Sequence, residues 1–134
     1  MKPHHHVAAG VIQRDGRILI TRRPEGGHLA GYWEFPGGKQ EGDETPEACL
    51  IREIQEELGI RVHPSERLLT EAHEYETKRV TLHFFACTVQ EDAEPRSAEG
   101  QEIRWAAPGD LLRLRFPPPD RRLIALLQRA GDAS

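Results

Sequence analysis

From Arg52 to Ile60 the chain reads REIQEELGI, and no other stretch restricts the fold as strongly. On a helix advancing about 100° per residue, Ile51, Ile54 and Leu58 gather on one side while Glu53, Glu56 and Glu57 gather on the other. The apolar side requires a layer to pack against. The acidic side is unfavourable by itself, because like charges at helical neighbour spacing cost about 0.2–0.5 kcal/mol per pair. A solvated surface face tolerates such a cost; a bound cation removes it.

The ends of this helix are equally readable. Thr45 suits the N-cap and Pro46 the first helical position, where its missing N–H has no intrahelical partner to lose. Gly59 suits the left-handed position after the last turn. Around the helix, residues 6–13 and 17–22 are β-prone and joined by RDGR, whose Asp-Gly pair supplies a tight antiparallel hairpin. A loop then leads to a short strand at Trp33 to Phe35, ended by Pro36, Gly37 and Gly38. Two long strands are expected at about Arg67 to Glu76 and Arg79 to Gln90, a further one in QEIRWA, a short helix opening near Pro108, and a terminal amphipathic helix in RRLIALLQRA. Strands and helices interspersed over 134 residues predict one α/β domain spanning residues 1–134.

Charge and cysteine content narrow the function. With 18 Lys and Arg against 22 Asp and Glu, the chain lacks the basic surface that binds a nucleic-acid polymer through its phosphates. No apolar run reaches the roughly 18 residues of a membrane span, and residues 1–10 lack the apolar region of a secretory signal. A reducing, cytoplasmic setting follows as an expectation, with Cys49 and Cys87 as buried thiols. The run His4, His5, His6 does not converge on one ion, since neighbours on a strand point to alternate faces.

Two features favour a cation over plain solvation at the acidic face. Gly37 and Gly38 let backbone come close to a ligand just before the helix, and Glu44 adds a carboxylate at its start. Hard oxygen donors beside a loop suit Mg²⁺, with Mn²⁺ as substitute, in a shell shared with substrate phosphates.

Gly38, Glu44 with seven residues between it and Arg52, and REIQEELGI together match G-x5-E-x7-R-E-U-x-E-E-x-G-U at all nine fixed places over 23 residues. The chain is thereby identified as resembling the Nudix hydrolases. The resemblance implies an α/β/α sandwich with a mixed central β-sheet and metal-assisted cleavage of a nucleoside diphosphate linkage. It implies Glu53, Glu56, Glu57 and the Gly37 carbonyl as metal ligands, and Arg52 as the residue that orients the acids through Glu44 or Glu56. Glu53 is the expected general base; Glu99, in AEGQE, is its rival for that role and otherwise a further metal ligand, ahead of Glu102.

The segment ITRRPEGGHLAGYWEFPGGK resembles the substrate loop of the MutT branch, which places Arg23, His28, Glu34, Phe35 and Gly37 at nucleotide-contacting positions, with Pro36, Gly38 and Lys39 in the same stretch. Asp120, in FPPPD, stands where MutT enzymes carry a base-reading residue, with helix capping as its alternative role. The implied substrate is a small nucleoside triphosphate, 8-oxo-dGTP above all, handled by a monomer or dimer. Ionised Asp120 would accept from the N7–H that oxidation gives guanine, and equally from the amino group of cytosine, so a CTP-type substrate stays open. Tyr75 keeps dinucleoside polyphosphates as a lesser reading, and a binding module without turnover is a reading of another class. The proline of ADP-ribose hydrolases and the motifs for coenzyme A and NADH cleavage are missing.

Overall fold

The structure is a computed structural model describing residues 2–27 and 29–132. Among the described residues seven strands build one mixed sheet: β1 (His4–Arg14), β2 (Arg17–Arg22), β3 (Trp33–Glu34), β4 (Gly37–Lys39), β5 (His63–Glu74), β6 (Arg79–Thr88) and β7 (Glu102–Ala106). Helix α1 (Pro46–Leu58) lies between β4 and β5, and α2 (Arg121–Asp132) ends the described chain after two 3-10 turns at Pro108–Arg113 and Pro118–Asp120.

Strand β1 is the axis. One of its edges runs parallel to β6, from His4 opposite Arg79 to Ile12 opposite Cys87. Its other edge is divided: Gln13 and Arg14 pair with Ile18 and Arg17 of β2, whereas Val7, Ala8 and Ala9 pair with Lys39, Gly38 and Gly37 of β4. The hairpin turn is made by Asp15 and Gly16 at φ 54° and 74°, the positive angles that an Asp-Gly turn supplies. Beyond the turn, β2 leaves β1 to pair with β3 and β7. At this fork the Gly10 N–H donates to the Pro36 carbonyl at 2.8 Å, pinning the loop between β3 and β4.

Strand alternation then separates two apolar layers. Ala9, Val11, Ile18, Ile20 and Phe84 pack with Leu123, Ile124 and Leu127 of α2. Ala8, Ile12, Leu19, Phe85 and Cys87 pack with Cys49, Leu50, Ile54 and Leu58 of α1. The result is the expected α/β/α sandwich, and adjacent Phe84 and Phe85 serve opposite faces. Cys49 and Cys87 are both buried and free.

Several expected boundaries move. Gly37 and Gly38 do not simply end a strand but form one of their own against β1. Strand β1 starts at His4, and β5 starts at His63, because their backbones continue to find partners in β6 where side-chain alternation is weak. Both long strands stop two residues short of the expected ends, β5 at Glu74 and β6 at Thr88. The segment after Pro108 is a 3-10 turn.

Gly10 lies where α1 packs tightly on β1: a Cβ there would lie 3.3 Å from both Cys87 Sγ and Ile54 Cδ1. A Gly10→Val variant should lose about 1–3 kcal/mol through overpacking, read as a lower urea midpoint at unchanged slope.

Candidate functional site

Helix α1 is fixed in register at both ends. Thr45 Oγ1 accepts from the Ala48 N–H at 3.1 Å, and the Gly59 N–H, at φ 66°, donates to Gln55 O. This register aims Arg52, Glu53 and Glu57 at β4 and the loop behind it. Arg52 grips Glu44 with two nitrogens, Nη2 at 2.7 Å and Nε at 3.1 Å, while its Nη1 reaches Glu53 at 2.9 Å and Nη2 the Lys39 carbonyl at 3.2 Å. Glu44 also accepts from the Glu41 N–H at 2.8 Å. The Arg52 bonds, then the Glu41 bond, hold the Glu44 carboxyl down at about 2.

Both box-side glycines are needed for contact. A Cβ on Gly38 would collide with the Glu53 carboxylate, and one on Gly37 with the Ala8 carbonyl across the β1–β4 pair. Glu53 is thus held between Arg52 and bare backbone. Behind it, burial and then the negative charges of Glu53, Glu34 and Glu99 push the Glu57 carboxyl up to about 8. Glu99 is delivered by its loop: the Ala98 N–H donates to Glu57 O and the Arg96 N–H to Leu58 O, each at 2.9 Å. These bonds satisfy carbonyls that the end of a helix leaves unpaired.

The structure therefore brings Glu34, Glu53, Glu57 and Glu99 into one electrostatic neighbourhood. Glu56 is not among them; its side chain is 60% exposed and pairs loosely with Arg52 at 3.5 Å. Among the described residues no three acidic or imidazole side chains already surround one point. The donors nevertheless fit a hard divalent cation: Glu57 is within hydrogen-bonding reach of Glu53, and two carboxylates so placed must share either a proton or a cation. Glu102 instead pairs with Arg22 at 3.4 Å.

A cleft of about 230 Å³ adjoins this cluster at Gly37, Gly38 and Glu34. Its floor is β1 and β6, through His5, Val7, Ala9, Val80, Leu82 and Phe84, and its walls include Arg23, Phe35, Lys39, Tyr75, Lys78, Pro119 and Asp120. Arg23 Nε donates to Glu34 at 3.0 Å. Phe35 is both wall and core, edge-on to Phe84 and stacked on Phe116 with ring centroids 5.2 Å apart. Pro36 is buried and binds the fork through its carbonyl. His28 lies outside the described residues. Lys78 was not singled out in the sequence, and His5 was weighed there only as a metal ligand; the alternation of β1, with Val7 and Ala9 facing inward, was the signal that would have placed His5 in the cleft.

Asp120 is 5% exposed. Burial first, and the Glu34 charge second, raise its carboxyl to about 7 against the opposing pull of Arg23. It sits in the 3-10 turn that runs directly into α2.

The description of the NUDIX domain matches residues 7–126. An 8-oxo-dGTP diphosphatase of Escherichia coli (strain K12) is 41% identical over 126 residues, covering 92% of this chain and 95% of that protein. A CTP pyrophosphohydrolase of the same organism is 36% identical over 119 residues, covering 88% and 87%. Among solved structures, a MutT protein from Methanosarcina mazei Go1 superimposes with a TM-score of 0.85 at 27% identity, covering 97% of this chain and 96% of that one. No helix among the described residues is long and apolar enough to cross a membrane.

The Asp120 carboxyl has a checkable signature. A raised acid pKa means that the folded state holds the proton more tightly than the unfolded chain, so stability is present below about 3.8 and is lost as pH rises through about 7. Asp120→Asn should therefore raise the melting temperature of the ligand-free protein by several degrees at pH 8 and by little at pH 3.5, measured by calorimetry at both.

Proposed function

We propose a function from one premise: the chain belongs to the Nudix family and is a Nudix hydrolase of the MutT-like kind. It hydrolyses a nucleoside triphosphate to the monophosphate and pyrophosphate, with 8-oxo-dGTP as its preferred substrate, in the cytoplasmic nucleotide pool. The observation that carries this reading is the buried Asp120 carboxyl in a cleft that borders the Glu53–Glu57 cluster at Gly38.

Mg²⁺, or Mn²⁺ in its place, held by Glu53, Glu57, Glu99 and the Gly37 carbonyl, with the exposed Glu56 side chain turning in from its loose pairing with Arg52 as a further ligand, would neutralise phosphate charge and acidify the attacking water. Arg52 fixes the Glu53 carboxylate through one oxygen, leaving the other to accept a proton from water attacking the β-phosphorus in line. Glu99 is the alternative acceptor, carried next to Glu57 by its loop. Gly37 and Gly38 expose backbone to the phosphates, and Lys39, on the rim of the cleft, offers them an ammonium group.

At the base end, oxidation at C8 turns guanine N7 from acceptor to N–H donor. Ionised Asp120 accepts that proton, whereas unmodified guanine would set a lone pair against it and leave a buried group unmet at about 1–3 kcal/mol. The raised Asp120 pKa keeps both protonation states within reach of neutral pH, and both can serve cytosine, whose amino group donates and whose N3 accepts. That observation, with the CTP pyrophosphohydrolase relative, supports a cytosine nucleotide as the second reading.

Pyrophosphate release from 8-oxo-dGTP, dGTP, CTP and 5-methyl-dCTP, each with Mg²⁺ and with chelator, tests this. The expected outcome is a kcat/KM for 8-oxo-dGTP at least about tenfold above dGTP, in line with the unmet-group cost. A higher value for the cytosine nucleotides transfers the assignment to the second reading, and no metal-dependent release from any of them removes both. Independently, Glu53→Gln should fold normally yet lose about 10²–10⁴-fold in kcat; near-wild-type turnover would exclude Glu53 as the base.

A further inference from the structure

The adjacent histidines at the start of β1 divide as strand alternation requires. His5 faces the nucleotide cleft with Val7 and Ala9. His4 and His6 turn to the other face, their ring centroids 4.5 Å apart. There β6 supplies a further imidazole: the parallel register sets Ala8 opposite His83, and His6 Nδ1 lies 3.1 Å from His83 Nε2.

We propose that His6 and His83, with His4 as third donor, form a binding site for a borderline-soft transition-metal ion such as Zn²⁺, Ni²⁺ or Cu²⁺, on the α1 side of the sheet and separate from the carboxylate cluster. Imidazole nitrogens bind these ions at about 2.0–2.1 Å, so two of them at neighbouring coordination positions stand about 2.9–3.4 Å apart. The His6–His83 separation falls inside that interval. At present one ring N–H lies between the two nitrogens. When the ion takes its place, that proton moves to the other nitrogen of the same ring, so both imidazoles stay neutral and two N–metal bonds replace one N–H···N bond.

The surroundings favour this exchange. His83 is 9% exposed and its Nδ1 is buried with no hydrogen-bond partner, so no competing bond fixes the ring. Burial and the charges of Arg67 and His6 hold His83 in the neutral form that ligates metals, with Glu47 of α1 as the nearby opposing charge. His4 and His6 are exposed. The three rings do not yet surround one point; His4 Nε2 bonds to Thr81 Oγ1 at 2.7 Å and must exchange that partner for the ion. Hard Mg²⁺ prefers the carboxylates, so the two sites select different ions.

Copper(II) titrated into the full chain in excess Mg²⁺, followed by electron paramagnetic resonance and calorimetry, tests the site. The expected spectrum carries coupling from at least two imidazole nitrogens. His6→Ala should remove that pattern and weaken the ion by at least about tenfold, and His83→Ala should do the same, while His5→Ala and Glu57→Gln leave both intact. Nitrogen coupling that survives His6→Ala, an affinity equal in wild type and His6→Ala, or loss of the ion in Glu57→Gln would each overturn the proposal. Because His6 is exposed and outside the core, its variant decides the matter even if His83→Ala does not fold.

Discussion

The Arg52 guanidinium is the contact on which the site depends. Its bidentate bond to Glu44 ties α1 to the loop that follows β4, and its bond to Glu53 orients the acid at the mouth of the cleft. The Lys39 carbonyl completes the fork, so helix, strand and loop meet on one planar cation. Arginine suits this role because its donors are rigidly splayed and its charge is permanent. Remove that centre and the acidic face of α1 has only its mutual repulsion. The glycines then make the contact short enough to matter, since any side chain at Gly38 would displace the Glu53 carboxylate.

Strand β1 carries out three tasks through its alternation. Ala8 and Ile12 seat α1, Ala9 and Val11 seat α2 with Phe84, and His5, Val7 and Ala9 form part of the cleft floor. Its divided edge, β2 near the hairpin and β4 near the start, brings the loop of Arg23 and Glu34 beside Gly37. A strand that paired with one neighbour along its whole length would leave no fork for that loop to enter.

Helix α1 was legible in the sequence almost to the residue, because caps, apolar stripe and acidic face all act locally. So were the Asp-Gly hairpin and the opposite facing of Phe84 and Phe85. What local reasoning missed depends on neighbours in space. The Gly37–Lys39 strand exists only because β1 offers it an edge. Glu56 shares its helical sector with Glu53 and Glu57 but falls on the solvent side of Arg52, a distinction that a wheel cannot make. The His6–His83 contact joins residues that the chain separates widely, so the strand rule applied to His4, His5 and His6 alone had no access to that partner.

The acids of the site are connected in a way that links its two ends. Glu34 raises Asp120 on one side and Glu57 on the other, and Glu57 is raised again by Glu53 and Glu99. Arg23 opposes this only at the Glu34 and Asp120 end, and Arg52 only at the Glu44 and Glu53 end. Between these cations the ligand-free cleft has more carboxylate than positive charge to balance it. A divalent ion at the Glu53–Glu57 end and an N–H donor at the Asp120 end would each relieve part of that excess. Glu34 is the carboxylate that both ends share. The same carboxylates that disfavour an isolated helix thus make the site receptive to a ligand that carries a metal at its phosphates and a hydrogen-bond donor on its base.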